Sequence, residues 1–176
     1  EGRKIASDYQ KMMAFAFAPD GKTLAVAGGT PGELGGVHLL DWPSGKLRGK
    51  WNVFEDVATC VAFNGNGQLI AGSAGNALAQ LDLRREGRTV RWFDSHTKAV
   101  RGVAFMLSGH QFVSVGADGT VKLWSLETKR LERTLAHHQG PVHAVAVQPF
   151  FGRFSLPELT VCATASDDWT VRVWQP

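Results

Sequence analysis

"GADGTVKLW" at residues 116–124 returns as "SDDWTVRVW" at residues 166–174, each reading small-x-Asp-x-Thr-Val-(Lys/Arg)-aliphatic-Trp. A nine-residue pattern written twice in 176 residues asks whether the whole chain is periodic. Two markers test this. Phe17, Phe63, Phe105 and Val147, each closing an apolar run, lie 46, 42 and 42 residues apart. Leu40, Leu81, Trp124 and Trp174, each ending a later run, are separated by 41, 43 and 50. Independent markers holding a period in the low forties define four repeats.

Each repeat has one grammar. An apolar run such as "AVRGVAF" is followed by a turn rich in Gly, Asn, Asp or Ser, then a second run ("TLAVAGG", "LIAGSAG", "QFVSVGA"). A further turn, a third run and a more charged stretch ("KLRGKW", "RTVRWF", "RLERTL") complete it. Short β-branched runs between turn residues predict strands, four to a repeat, forming small antiparallel sheets. The second runs are apolar without alternation, so both faces of that strand are expected to be buried. The charged fourth strand is expected at the outer edge, where Lys and Arg discourage stray pairing. Sheets covered on both faces need a sheet on either side, and radial stacking satisfies this. The fold class is therefore all-β, a β-propeller of four blades with four antiparallel strands each.

Over its whole length the chain resembles the WD-repeat β-propeller family. The third repeat, "HTKAVRGVAFMLSGHQFVSVGADGTVKLW", carries the family's His, Asp-Gly-Thr-Val and Trp in order, and "HHQGPVHAVAV" with "TASDDWTVRVW" matches in the fourth. Repeats one and two depart from the pattern. Leu40 and Asp82 stand where Trp is expected, Asn76 replaces the turn Asp, and neither repeat has the loop His. The expected blades span residues 11–52, 53–94, 95–135 and 136–176 of one domain, 1–176, with residues 1–10 an outer strand of a closing blade. Four blades make either part of a longer ring or half of an eight-bladed one. The chain opens on Glu1 rather than Met and ends on a third strand, "GRKIASDY" supplying a candidate fourth.

His96, Ser114 and Asp118 have the residue types of an acyl-transfer triad. The set recurs as His138, Thr164 and Asp168, with Trp124 and Trp174 six residues after each Asp. Chemistry is not copied blade by blade. The resemblance implies a structural hydrogen-bond chain, Trp to Ser/Thr to His to Asp, which satisfies groups that are costly to bury alone. His137, His138 and His143 lack the Cys or carboxylate partners of a tetrahedral metal site. "GNGQLIAG" lacks the Lys-Ser/Thr of a phosphate loop. No metal or cofactor is expected.

A net charge of +3, with 44% hydrophobic and 20% charged residues, fits an ordinary globular chain and is too weak to imply nucleic acid without a clustered basic face. One candidate face exists: "RREGRTVRWFDSHTKAVR" interleaves cations with Trp92 and Phe93. No apolar run reaches membrane-spanning length. Cys60 and Cys162 sit in apolar runs and read as buried thiols, consistent with a reducing, cytoplasmic setting. Two insertions break the rhythm. "GGTPGELGG" is expected to lengthen a turn in the first repeat. "PFFGRFSLPEL" places Phe150, Phe151, Phe154, Leu156 and Leu159 in a loop of the fourth, where so much apolar surface is expected to cover something.

The expected function is a non-catalytic scaffold for a protein or peptide partner, with further blades from the same longer chain or a second copy closing the ring. The alternatives are a nucleic-acid-associated module using the Arg-rich outer strand of the second blade and, less favoured, an enzyme. The resemblance implies docking where the first strands begin and the second turns end. Carried over by position, this gives Lys11, Met13, Val57, Thr59, Ala99, Arg101, Pro141 and His143, with Gly75, Ala117 and Asp167 from the turns. Arg101, His143 and Asp167 are its polar candidates.

Overall fold

The computed structural model describes residues 8–83, 90–93, 96–135, 138–148 and 160–175. Among them fifteen strands form four antiparallel sheets. The first holds β1 (Lys11–Phe17), β2 (Thr23–Thr30), β3 (Leu34–Asp41) and β4 (Lys46–Phe54) in that order. The second runs β5 (Ala58–Phe63), β6 (Leu69–Ser73), β7 (Leu78–Leu81) and β8 (Val90–Phe93). The third runs β9 (Val100–Phe105), β10 (Gln111–Gly116), β11 (Val121–Ser125) and β12 (Leu131–Leu135). The fourth has β13 (Val142–Val147), β14 (Cys162–Ser166) and β15 (Val171–Trp174). Strands β1, β5, β9 and β13 are neighbours in turn, so the sheets fan about an axis like propeller blades, and the fan stays open. Among the described residues no helix is long and apolar enough to cross a membrane.

Strand alternation sends side chains to both faces of every sheet, and three apolar clusters fill the seams. Ala14, Ala16, Ala25 and Ala27 of the first sheet meet Val61, Phe63, Leu69 and Leu81 of the second. Cys60, Ile70 and Leu78 of the second meet Phe105, Phe112 and Trp124 of the third. Val113, Val115 and Val121 of the third meet Val145, Val147, Cys162 and Trp174 of the fourth. Aromatic side chains enter the seams from both sides, Trp51, Phe54 and Phe93 from the earlier blades and Phe63, Phe105, Phe112, Trp124 and Trp174 from the later ones. Apolar side chains stand on the two outermost faces as well. Phe15 and Phe17, opposite Ala14 and Ala16 in the alternation, are exposed, Phe15 by 72%. On the last blade Val171 and Val173 are exposed at the other end of the fan.

The first insertion behaves differently from the sequence expectation. It lengthens the strands instead of the turn, because Gly28, Gly29 and Thr30 pair in register with Gly36, Gly35 and Leu34. A tight turn at Pro31–Glu33 closes this hairpin, with Gly32 at φ 68°. A Cβ on Gly35 would run into the Asp56 carbonyl, so the glycines let the hairpin lie flat on the loop before β5. Asp56 Oδ1 accepts from Gly32 N at 3.1 Å and Val57 N at 2.7 Å, pinning it there.

Residues 149–159, with the Phe-rich insertion, and residues 1–7 of the expected N-terminal strand lie outside the described residues. At the base of the insertion Gln148 N donates to Val161 O at 2.9 Å. Asp8 and Tyr9 pack on the first blade. Tyr9 stacks on His38 at 3.9 Å and donates to Asn52 Oδ1 at 2.6 Å, and Asp8 pairs with Lys50.

Candidate functional site

In the third blade, Trp124 Nε1 donates to Ser114 Oγ at 2.8 Å, and Ser114 Oγ lies 2.8 Å from His96 Nε2. His96 Nδ1 is 3.0 Å from both carboxylate oxygens of Asp118. The carboxylate only accepts, so Nδ1 carries the proton, Nε2 accepts, and the Ser114 hydroxyl donates to it. The chain thus runs one way, from indole to carboxylate. Asp118 also accepts from Thr97 N, Thr120 N and Thr120 Oγ at 2.9, 3.0 and 2.7 Å. In the fourth blade Trp174 Nε1, Thr164 Oγ1, His138 and Asp168 repeat the arrangement with three links of 2.8 Å. Ser114 is wholly buried and its oxygen is capped by the Trp124 indole, so a substrate carbonyl has no approach to it.

Register shows what replaces the network in the first two blades. Trp124 pairs with Phe112 and Trp174 with Cys162, and the matching pairs are Leu40 with Leu24 and Leu81 with Leu69. Leu81, rather than Asp82, therefore occupies the Trp position of the second blade. The same one-residue slip moves the turn. Ser73 N bonds to Ala77 O as Gly116 N bonds to Thr120 O, so Gly75 holds the Asp place and Asn76, at φ 72°, the left-handed corner of Gly119. Counting six residues back from the wrong Trp position misplaced both. Ala71 and Val26 replace Ser114 in register, and Phe54 stands four residues before β5 as His96 does before β9. The second blade substitutes apolar contacts for the whole polar chain, which avoids leaving part of it unsatisfied.

Titration of the network sets a pH dependence. Burial pulls His96 below its ordinary 6.5, with Asp118 opposing the shift. Burial alone would raise Asp118, but hydrogen bonds from Thr120, Thr97 and His96 hold it down at about 2. Burial likewise lowers His38, against the pull of Asp8. Below the ordinary pKa of each group the unfolded chain binds protons that the folded chain resists, so stability falls as pH falls. The urea midpoint is expected to be level between about pH 7 and 8, to drop below roughly 6.5 as the histidines charge, and to drop again between roughly 4 and 2 with Asp118. Urea melts at constant ionic strength check this; a midpoint that rises between pH 7 and 5 contradicts the histidine assignments.

The second set of expected residues lies at the end of the sheets where first strands begin. Each first strand carries a bulge there, between Met12 and Ala14, Ala58 and Cys60, Val100 and Gly102, and Val142 and Ala144. Met13, Thr59, Arg101 and His143 are thus the extra, unpaired residues of four equivalent bulges, a device that re-aims side chains at rims. Met13, Arg101 and His143 are exposed, as is Lys11. Thr59 turns inward instead: its hydroxyl lies 2.6 Å from Val100 O and ties the second blade to the third. Behind the bulges, Ala74 N, Ala117 N and Asp167 N donate to the carbonyls of Val57, Ala99 and Pro141 at 2.9, 2.9 and 3.0 Å. Ala74, not Gly75, is thus the turn residue equivalent to Asp167. His143 Nε2 pairs with Asp167 Oδ2 at 2.9 Å. The sequence reading missed Trp169, which stands on the β14–β15 corner at φ 64°. Among the described residues no three His, Cys, Asp or Glu converge as a metal site, and both cysteine thiols are free and buried, Cys60 pushed up to about 12 and Cys162 to about 11 by that burial.

Antiparallel blades fanned on their inner strands, the third and fourth each tied by an indole-to-carboxylate chain, define a β-propeller segment. The family model for the WD domain, G-beta repeat, matches residues 87–125 and 129–175. The chain belongs to the WD-repeat family. It is 31% identical over 90 residues to the U3 small nucleolar RNA-associated protein 15 homolog of Xenopus tropicalis, covering 51% of this chain and 18% of that protein. It is 40% identical over 81 residues to the E3 ubiquitin-protein ligase COP1 of Pisum sativum, covering 45% and 12%. Among solved structures, the RRP9 WD40 repeats superpose with a TM-score of 0.82 at 23% identity, over 99% of this chain and 51% of that one. The chain spans less than a third of the length of these curated relatives and about half of that solved structure.

Proposed function

We propose that the chain is a non-catalytic interaction scaffold that presents its bulged rim to a protein or peptide partner, within a ring completed by further blades. The observation that carries the reading is the set of equivalent bulges, which turn Met13, Arg101 and His143 outward at one end while the Ser114 and Thr164 hydroxyls are consumed inside the blades. Its open faces support the second half: a solved neighbour of the same fold is about twice as long. Free, buried thiols fit a reducing, cytoplasmic setting.

A second reading rests on the outer edge. Trp92 and Arg91 are both exposed on the edge strand β8, on opposite faces of it, and an aromatic ring and a cation on one edge suit contact with RNA of the kind named for the Xenopus relative. One experiment separates the two. A photo-crosslinking residue is placed at position 101, 91 or 48, the last at the opposite end of the first blade, and the protein is irradiated in cells. The scaffold reading expects protein adducts at 101 and none at 48. RNA adducts at 91 with nothing at 101 overturn it in favour of the nucleic-acid module.

A further inference from the structure

We infer that Asp8 and Tyr9 form a strap, fastened on His38, that holds the segment entering the first blade across that blade's outward face and lets go in acid. The strap does for this blade what the indole-to-carboxylate chain does for the third and fourth, with the acid and the imidazole in exchanged places. Counted back from the bulges, Met12 matches Val100, so Asp8 stands at the blade entry where His96 does in the third blade. The imidazole comes instead from the third strand: His38 pairs with Val26, the residue that replaces Ser114.

The fit is close. Tyr9 stacks on His38 with ring centroids 3.9 Å apart and planes 26° from parallel, and its hydroxyl donates to Asn52 Oδ1 at 2.6 Å. Asp8 pairs with Lys50 through one carboxylate oxygen, and the other lies 3.6 Å from His38 Nε2. The entry is thus tied to β3 and β4 at once. Gly28 makes room for it, since a Cβ there would run into the Lys11 carbonyl and stand 2.9 Å from Tyr9 Cδ2. Tyr9 and His38 are both buried. Val26 and His38 alternate with Ala25, Ala27, Val37 and Leu39, which fill the seam to the second blade. The strap therefore lies on the opposite face, the one that carries Phe15.

Acid undoes this contact. A charged imidazole taken out of water needs a close compensating partner. His96 and His138 have Asp118 and Asp168 at 3.0 and 2.8 Å from Nδ1, whereas His38 has Asp8 at 3.6 Å, an exposed carboxylate shared with Lys50. Burial holds the His38 ring below its ordinary 6.5; Asp8 draws it back up, and Lys50 on β4 pushes it further down. Tyr9 faces it as a neutral phenol, its own pKa raised by burial, and Val26 on β2 brings no charge. A ring that resists protonation while strapped and accepts it when free shifts the balance towards release as pH falls below about 6.5.

Tyr9 is the chain's single tyrosine, so protein grown with fluorotyrosine gives a fluorine resonance for the strap, assigned by its loss in Tyr9→Phe. The spectrum is followed from about pH 8 to 5 at constant ionic strength in the native assembly, while tryptophan fluorescence, Trp124 being buried, reports on the blades. The resonance is expected to move from a strapped position to that of the urea-unfolded chain before the tryptophan signal changes. The ratio of released to strapped protein should rise at least about tenfold between pH 7 and 5. His38→Phe keeps a ring against Tyr9 and cannot be protonated, so its resonance is expected to stay strapped over the same range. Asp8→Asn removes the charge that favours the protonated ring in place, and should move release to higher pH. Four outcomes would each overturn the inference: a resonance already at the unfolded position at pH 7, one unmoved at pH 5, one that moves only with the tryptophan signal, or a His38→Phe protein that releases as the parent does.

Discussion

Replacing Asp118 by alanine is expected to destabilise the fold by about 3 kcal/mol, near the upper end for a single buried hydrogen-bonding group. The carboxylate accepts from His96 Nδ1, Thr97 N, Thr120 N and Thr120 Oγ, so its removal orphans several donors at once. His96→Ala is expected to cost roughly 2 kcal/mol, since it strands the Ser114 hydroxyl and opens a cavity beside it. The double variant should cost clearly less than the sum, because each substitution already disables the same chain. Urea melts of the two single variants and the double variant measure this cycle. Strict additivity would show that the four groups do not act as one unit.

Phe15→Asp and Val171→Asp are expected to leave the blades folded and to break the closed ring. Both side chains are exposed in the isolated fan, by 72% and 71%, so neither substitution removes an internal contact. Each places a carboxylate where another blade must pack. Losing a buried Phe or Val contact forfeits about 2 kcal/mol, and desolvating an unpaired charge adds several more. At roughly 1.4 kcal/mol per decade, closure at either seam weakens by a hundredfold or more. Sedimentation velocity reads the effect if a second copy closes the ring, and the melting midpoint of the longer chain reads it if further blades do. An assembly indifferent to both changes would sink the closed-ring reading.

The repeat period and strand grammar made the blades legible, because a propeller repeats its burial pattern every forty-odd residues. His96, Ser114, Asp118 and Trp124 stood out by recurring in the fourth repeat, and the hydrogen bonds join each set into one chain. The slips came where the pattern degenerates. In the second repeat no Trp or Asp anchors the count, and only the hydrogen bonds of the 73–77 turn fix Asn76 at the corner and Leu81 at the Trp position. The glycines around Pro31 read as a loose turn, yet two strands of small residues can pair as well as any when a neighbouring loop receives them. Thr59 looked like a surface residue because a bulge cannot be seen in the sequence, and the bulge turns its hydroxyl to the neighbouring strand. Trp169 was read only as the variable position of a motif.

At every seam one face of a blade meets the opposite face of the next, as Ala14 and Ala16 meet Val61 and Phe63 while Phe15 and Phe17 point the other way. Such blades add head to tail and never face to face, like links with a hook at one end and an eye at the other. Any cut between two blades leaves one hook and one eye, so the severed pieces are self-complementary in a heterologous sense. Whether such pieces form a finite ring or an endless thread then depends on the angle between successive blades. The twist of four small sheets thereby decides between a discrete particle and a fibre.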